Sequence, residues 1–94
     1  MLSSAFVGTD QRSLNVTFVG GREDLFRYDA EVLEVATAVT VMPLQRLTRK
    51  LPSGTAITLE GHRREVRVVL REALGGRVLV NLDGSPVPVL ASVR

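Results

Sequence analysis

Apolar and polar residues alternate along much of this chain. Leu14, Val16 and Phe18 are separated by Asn15 and Thr17, the period-two pattern of a strand with one buried face. Gly20-Gly21 marks a turn, and Asp24-Leu25-Phe26-Arg27-Tyr28 follows it. A five-residue loop pairing Phe18 with Asp24 would set Val16 opposite Phe26 and Leu14 opposite Tyr28. That register gathers Leu14, Val16, Phe18, Phe26 and Tyr28 on one face.

Residues 31–42 (EVLEVATAVTVM) fit two periods. Val32, Val35, Ala36 and Val39 make a helical stripe, whereas Leu33, Val35, Thr37, Val39 and Val41 make a strand face. Their valine and threonine content favours one long strand. Pro43 suits the first position of a helix. Leu44, Leu47 and Leu51 recur at helical spacing, so a short helix is expected near 43–50, stopped by Pro52-Ser53-Gly54.

The remainder reads as a meander. Strands are expected over Thr55–Leu59, Glu65–Arg71 and Arg77–Leu82, with turns at Gly61-His62 and Gly75-Gly76. In the second of these strands Val66, Val68 and Leu70 point inward and Arg67 and Arg71 outward. Asp83-Gly84 is a strong hairpin signal. A two-residue loop there would pair Val80 with Val87 and Val78 with Val89. Pro86 and Pro88 cannot donate to a ladder, so residues 85–91 are expected at a sheet edge.

Short strands joined by glycine and proline turns predict a mainly β fold: one domain over 1–94, a small barrel or a strongly bent antiparallel sheet with one short helix. The last hairpin and Ala91-Ser92-Val93 are similar in pattern to the end of SH3-like barrels. Leu51-Pro52-Ser53-Gly54-Thr55-Ala56-Ile57-Thr58-Leu59 resembles a stretch shared by the switch-ring domains of flagellar and type III secretion rings and by PilZ barrels. The ring domains' downstream Asn-Gly turn is missing. Asn81-Leu82-Asp83-Gly84-Ser85 does not supply the PilZ dinucleotide signature, so neither family's residues carry over.

Composition narrows the chemistry. The chain has 94 residues and no cysteine, which excludes a disulfide framework and thiolate zinc sites. It is too short for a Rossmann or TIM-barrel enzyme. No apolar run reaches membrane-spanning length, and Met1-Leu2-Ser3-Ser4 has no signal-peptide character. The expected location is therefore the cytoplasm or the inside of a larger particle. His62, the single histidine, lies between Gly61 and Arg63-Arg64 in what reads as an exposed turn. No second histidine, nucleophile elbow or phosphate-binding glycine loop accompanies it. These residues point away from an enzyme, and they call for no cofactor, metal or small-molecule substrate.

Charge is what remains. Residues 1–34 hold three arginines against six carboxylates, a net of −3, while residues 35–94 hold nine basic and four acidic residues, +5. Such asymmetry suits head-to-tail packing of subunits, contact with nucleic acid, or neutralisation within one fold. The candidate interaction residues are Arg46, Arg49 and Lys50 on the expected helix, and Arg63, Arg64, Arg67 and Arg71 on one hairpin. Two functions follow as expectations. One is a structural or protein-interaction module in an oligomeric assembly, such as a phage particle or secretion ring. It would use the edge strand Ser85–Ala91 and an acidic N-terminal third that meets the arginine face. The other is a small barrel that binds duplex or structured nucleic acid through the arginines. All four aromatics fall within the first 28 residues, away from the arginines in sequence, which disfavours single-strand stacking.

Overall fold

The alternation at Leu14, Val16 and Phe18 builds a strand whose inner face is almost wholly buried. A computed structural model describes residues 1–48, 54 and 61–91. The strands among them are β1 (Leu2–Val7), β2 (Ser13–Gly20), β3 (Phe26–Glu34), β4 (Ala38–Leu47), β5 (His62–Val69), β6 (Val78–Val80) and β7 (Val89–Ala91). They form a four-stranded sheet in the order β5-β2-β1-β7 and a three-stranded sheet in the order β3-β4-β6. Each sheet contains one parallel pairing, β1 with β7 and β4 with β6. The sheets pack face to face over Leu2, Ala5, Val7, Leu14, Val16, Phe18, Val39, Val41, Val68, Leu70, Leu74, Leu79 and Val87.

The mainly β expectation holds, but neither sheet closes into a barrel, and the C-terminal end is not SH3-like. The expected β2–β3 hairpin does not form either. β2 is flanked by β1 and β5, and β3 pairs with β4. The predicted apolar face is nevertheless shared, because Phe18 meets Tyr28 edge-on at 4.8 Å between the two sheets. Gly20 and Gly21 make this crossing possible. A Cβ on Gly21 would overlap the Phe26 ring, and one on Gly20 would lie 2.7 Å from the Tyr28 hydroxyl. The Gly21 N–H instead donates to the Tyr28 hydroxyl oxygen at 2.8 Å.

Residues 31–42 are strand, not helix, yet they make two strands rather than one. The chain reverses at Val35–Thr37, where the Val35 N–H donates to the Ala38 carbonyl at 2.9 Å. No glycine, proline, asparagine or aspartate marks that reversal. The expected helix is absent as far as Thr48: Pro43 to Leu47 continue β4. β6 pairs only with Ala38–Thr40. By Pro43, β4 has thus lost its second neighbour among the described residues, a position where a sheet tolerates proline. Arg49, Lys50, Leu51 and the expected strand Thr55–Leu59 lie outside the described residues.

β5 matches its expected face, with Val68 and Leu70 buried, Val66 half-buried and Arg67 exposed. The turn after β6 falls one residue away from the Asp83-Gly84 register. Val80 bridges Pro86, and the Asn81 N–H donates to the Ser85 carbonyl at 2.8 Å. Asp83 causes the slip. Its carboxylate accepts from the Ser85 N–H at 2.9 Å and the Ser85 hydroxyl at 2.7 Å, widening the loop to Leu82–Gly84. A one-residue slip exchanges faces: Leu79 is buried, while Val78 is 49% exposed. The chain then leaves for the other sheet, where β7 is an edge strand, as expected of residues 85–91.

Candidate interaction surfaces

The outer face of the four-stranded sheet carries a row running across all four strands. Leu90 lies beside Phe6, Phe6 opposite Asn15, and Asn15 opposite Arg67. Leu90 is 51% exposed and Phe6 38%. Val69 and Val19, also exposed, stand on the same face. Sequence reasoning missed Phe6 because β1 was not foreseen. The interrupted pattern of Leu2-Ser3-Ser4-Ala5-Phe6-Val7 explains why: a register shift between Leu2 and Ser4 breaks the simple alternation.

The structure disperses the predicted basic cluster. Arg63 and Arg67 share the outer face of β5, with Arg63 paired to Glu65 at 3.3 Å. Arg71 lies beyond the strand, 3.6 Å from Glu34. Arg46 is on the other sheet, 3.0 Å from Asp29. Arg67 has no ion pair among the described residues.

Arg64 points inward. It shares the parity of Val66 and Val68, a signal present in the alternation itself. Its guanidinium donates to the Gly21 carbonyl at 2.7 Å and the Phe26 carbonyl at 3.0 Å, and lies 4.9 Å from the centre of the Tyr28 ring. This combination of two carbonyl acceptors and an aromatic face matches the planar fork of arginine. Arg64 therefore fastens β5 to β3. The Tyr28 hydroxyl completes the arrangement by donating to Gln45 Oε1 at 2.8 Å.

A second fastening sits at the opposite end of the same two strands. The Glu34 carboxylate accepts from the backbone N–H groups of Arg71 at 2.8 Å and Glu72 at 3.3 Å, and from Arg77 at 3.2 Å. Arg77 also donates to the carbonyls of Glu72 and Ala73, both at 2.9 Å. The Glu34 and Arg77 side chains are largely buried. The N–H of Arg71, then those of Glu72 and the Arg77 side chain, hold the Glu34 carboxyl below the usual glutamate range against the opposing effect of burial. Glu34 and Arg77 are separated by 43 positions, so no local pattern could pair them.

These contacts settle much of the charge asymmetry. Asp29 and Glu34, from the acidic third, are paired with Arg46, Arg71 and Arg77 from the basic remainder. Neutralisation inside the fold thus accounts for these charges.

No cluster of His, Asp and Glu suited to a metal ion occurs among the described residues, and none of their helices could cross a membrane. His62 opens β5 and is exposed. Comparisons with protein-family models, with curated proteins and with solved structures find no match.

Proposed function

We propose that this chain is a non-enzymatic protein-interaction module that works as a subunit of a homo- or hetero-oligomeric assembly. The observation that carries this reading is the row on the outer face of the four-stranded sheet. Exposed Phe6 and Leu90 are held side by side on a rigid parallel strand pair, with Asn15 and Arg67 continuing the row. An aromatic and an aliphatic anchor beside an arginine is the composition of a protein contact surface. The small core supports the same reading, since association is a usual remedy for a short chain with little interior. We assign a second copy of the chain as the first occupant of this face.

The nucleic-acid reading has less behind it. Arg46 is on the other sheet from Arg63 and Arg67, Arg64 is turned inward, and Arg63, Arg46 and Arg71 each face a carboxylate. A phosphate backbone needs several free cations on one surface.

Light scattering across a concentration series tests the proposal. The wild type is expected to form a defined oligomer, and Phe6→Ser combined with Leu90→Asp is expected to return it to a monomer with an unchanged circular dichroism spectrum. A wild type that is monomeric at every concentration, or an oligomer indifferent to both substitutions, overturns self-association through this face. Salt-sensitive binding of duplex DNA by the monomer would favour the second reading.

A further inference from the structure

The side of the sandwich where β3 and β5 meet is closed only at its ends. At one end Arg64 bonds the Phe26 carbonyl, and at the other Glu34 holds the N–H groups of Arg71 and Glu72. Residue numbers therefore rise in the same direction along both strands, which run side by side between the two fastenings. From Phe26 to Glu34 is about 26 Å of strand at ~3.3 Å per residue. Between the fastenings lies a groove of about 550 Å³, walled by Tyr28–Val32 on one side and Glu65–Val69 on the other.

The walls of this groove are strand edges. β3 pairs only with β4, and β5 only with β2, among the described residues. Each edge turns a row of backbone donors and acceptors towards the groove, the chemistry that recognises another extended backbone. The inward-facing, half-buried Tyr28, Ala30, Val32 and Val66 pack against the core and form an apolar floor. The rim carries Asp29, Glu65 and Arg67. Asp29 is already paired with Arg46, and Glu65 with Arg63, whereas Arg67 has no ion pair among the described residues. The uncompensated charge on the rim is thus positive.

We propose that this groove is a docking slot for an extended peptide segment of another protein. The segment is apolar at alternate positions and bears a carboxylate that meets Arg67. Its backbone would add to the free edges, its apolar side chains would sit on the floor, and its alternate side chains would stand at the rim. The two fastenings limit its bound length to about five or six residues, the span of the groove walls at strand spacing. This rests on the protein-interaction reading only in that the occupant is a polypeptide; it needs no self-association.

The test uses a short synthetic peptide with alternating valine and threonine and one central glutamate, titrated into the isotopically labelled full chain and followed by amide NMR shifts. Three controls accompany it: the same peptide with alternate backbone nitrogens methylated, a version with lysine in place of glutamate, and the chain carrying Arg67→Glu. The expected result is saturable shifts at Tyr28–Val32 and Glu65–Val69 that vanish with the methylated peptide. Arg67→Glu should weaken the glutamate peptide about threefold and favour the lysine peptide by a similar factor, as for an exposed ion pair. Absence of shifts in these segments overturns the slot, as do shifts confined to Phe6 and Leu90, or equal binding of the methylated peptide. Light scattering on the same samples reports self-association separately, so loss of one does not imply loss of the other.

Discussion

The two seams of this sandwich are held by different kinds of bond. Along one, the chain itself passes from β6 to β7 and ties the sheets through its backbone. Val87 N–H donates to the Leu79 carbonyl at 2.8 Å, Ala5 N–H to the Pro88 carbonyl at 2.9 Å, and Val80 bridges Pro86. Asn81 adds to this by accepting from the Leu2 N–H at 2.7 Å. Along the other, β3 and β5 are joined by side chains, Arg64 at one end and Glu34 at the other. Backbone bonds recur at every turn of a strand and leave no gap. Side-chain bonds act at points, and the strand edges between those points stay open. Stability concentrates at the first seam, and binding capacity at the second.

The largest expected effect lies at the backbone-sealed seam. Leu79 is 1% exposed, and Leu79→Ala should cost about 3 kcal/mol, as for other leucine truncations in packed cores. Urea unfolding with an unchanged slope would confirm it. A cost near zero would show that this seam is not part of the cooperative core.

Arg64→Met comes next. It removes two bonds to carbonyls and a cation–π contact while keeping an unbranched apolar stem, and should cost about 2 kcal/mol. Hydrogen exchange should accelerate in β3 and β5 and leave β1 and β7 protected. Uniform acceleration would mean that the two seams are not independent.

Acid should act through the other fastening. The Glu34 carboxyl is held below its ordinary range in the folded chain, first by the Arg71 N–H. The unfolded state therefore takes up its proton at a higher pH than the folded state does. This contribution to stability is complete above the ordinary glutamate pKa and fades as pH falls through the folded value. Glu34→Gln should flatten the acid limb of a plot of melting temperature against pH. An unchanged acid limb would place the pH sensitivity elsewhere, with Asp10 and Asp83, whose carboxyls are also lowered, as the remaining sources.

The smallest effect tests register. In the register read from Asp83-Gly84, Val78 would be buried opposite Val89, but it is 49% exposed. Val78→Thr should change stability by less than about 0.5 kcal/mol, as at other surface positions. A loss comparable to that at Leu79 would restore the hairpin register and contradict the slip.

Several features were legible in the sequence because they are carried by neighbouring residues. The inner faces of β2 and β5, the strand character of residues 31–42 and the edge position of β7 all follow from alternation, β-branching and proline. The inward turn of Arg64 was written in the same parity. The grouping by charge with Arg63, Arg67 and Arg71 obscured it. Pro43 misled for the opposite reason: its helix-starting tendency was outweighed by the continuing ladder with β3. Of the candidate surface, Arg67 was foreseen. Phe6 and Leu90 were not, since what makes them a surface is that β1 and β7 lie side by side.

The amino-acid sequence by itself determined which segments extend and, for most of them, which side faces the interior, because side-chain alternation along a strand is a property of two adjacent residues. Only the tertiary structure decided which strand lies beside which, where the chain reverses at Val35–Thr37, and how Glu34 finds Arg77. Strand pairing depends on many backbone groups being satisfied at once, so a locally favoured hairpin such as β2–β3 gives way when β1 and β5 can flank β2 and β3 can serve the opposite sheet.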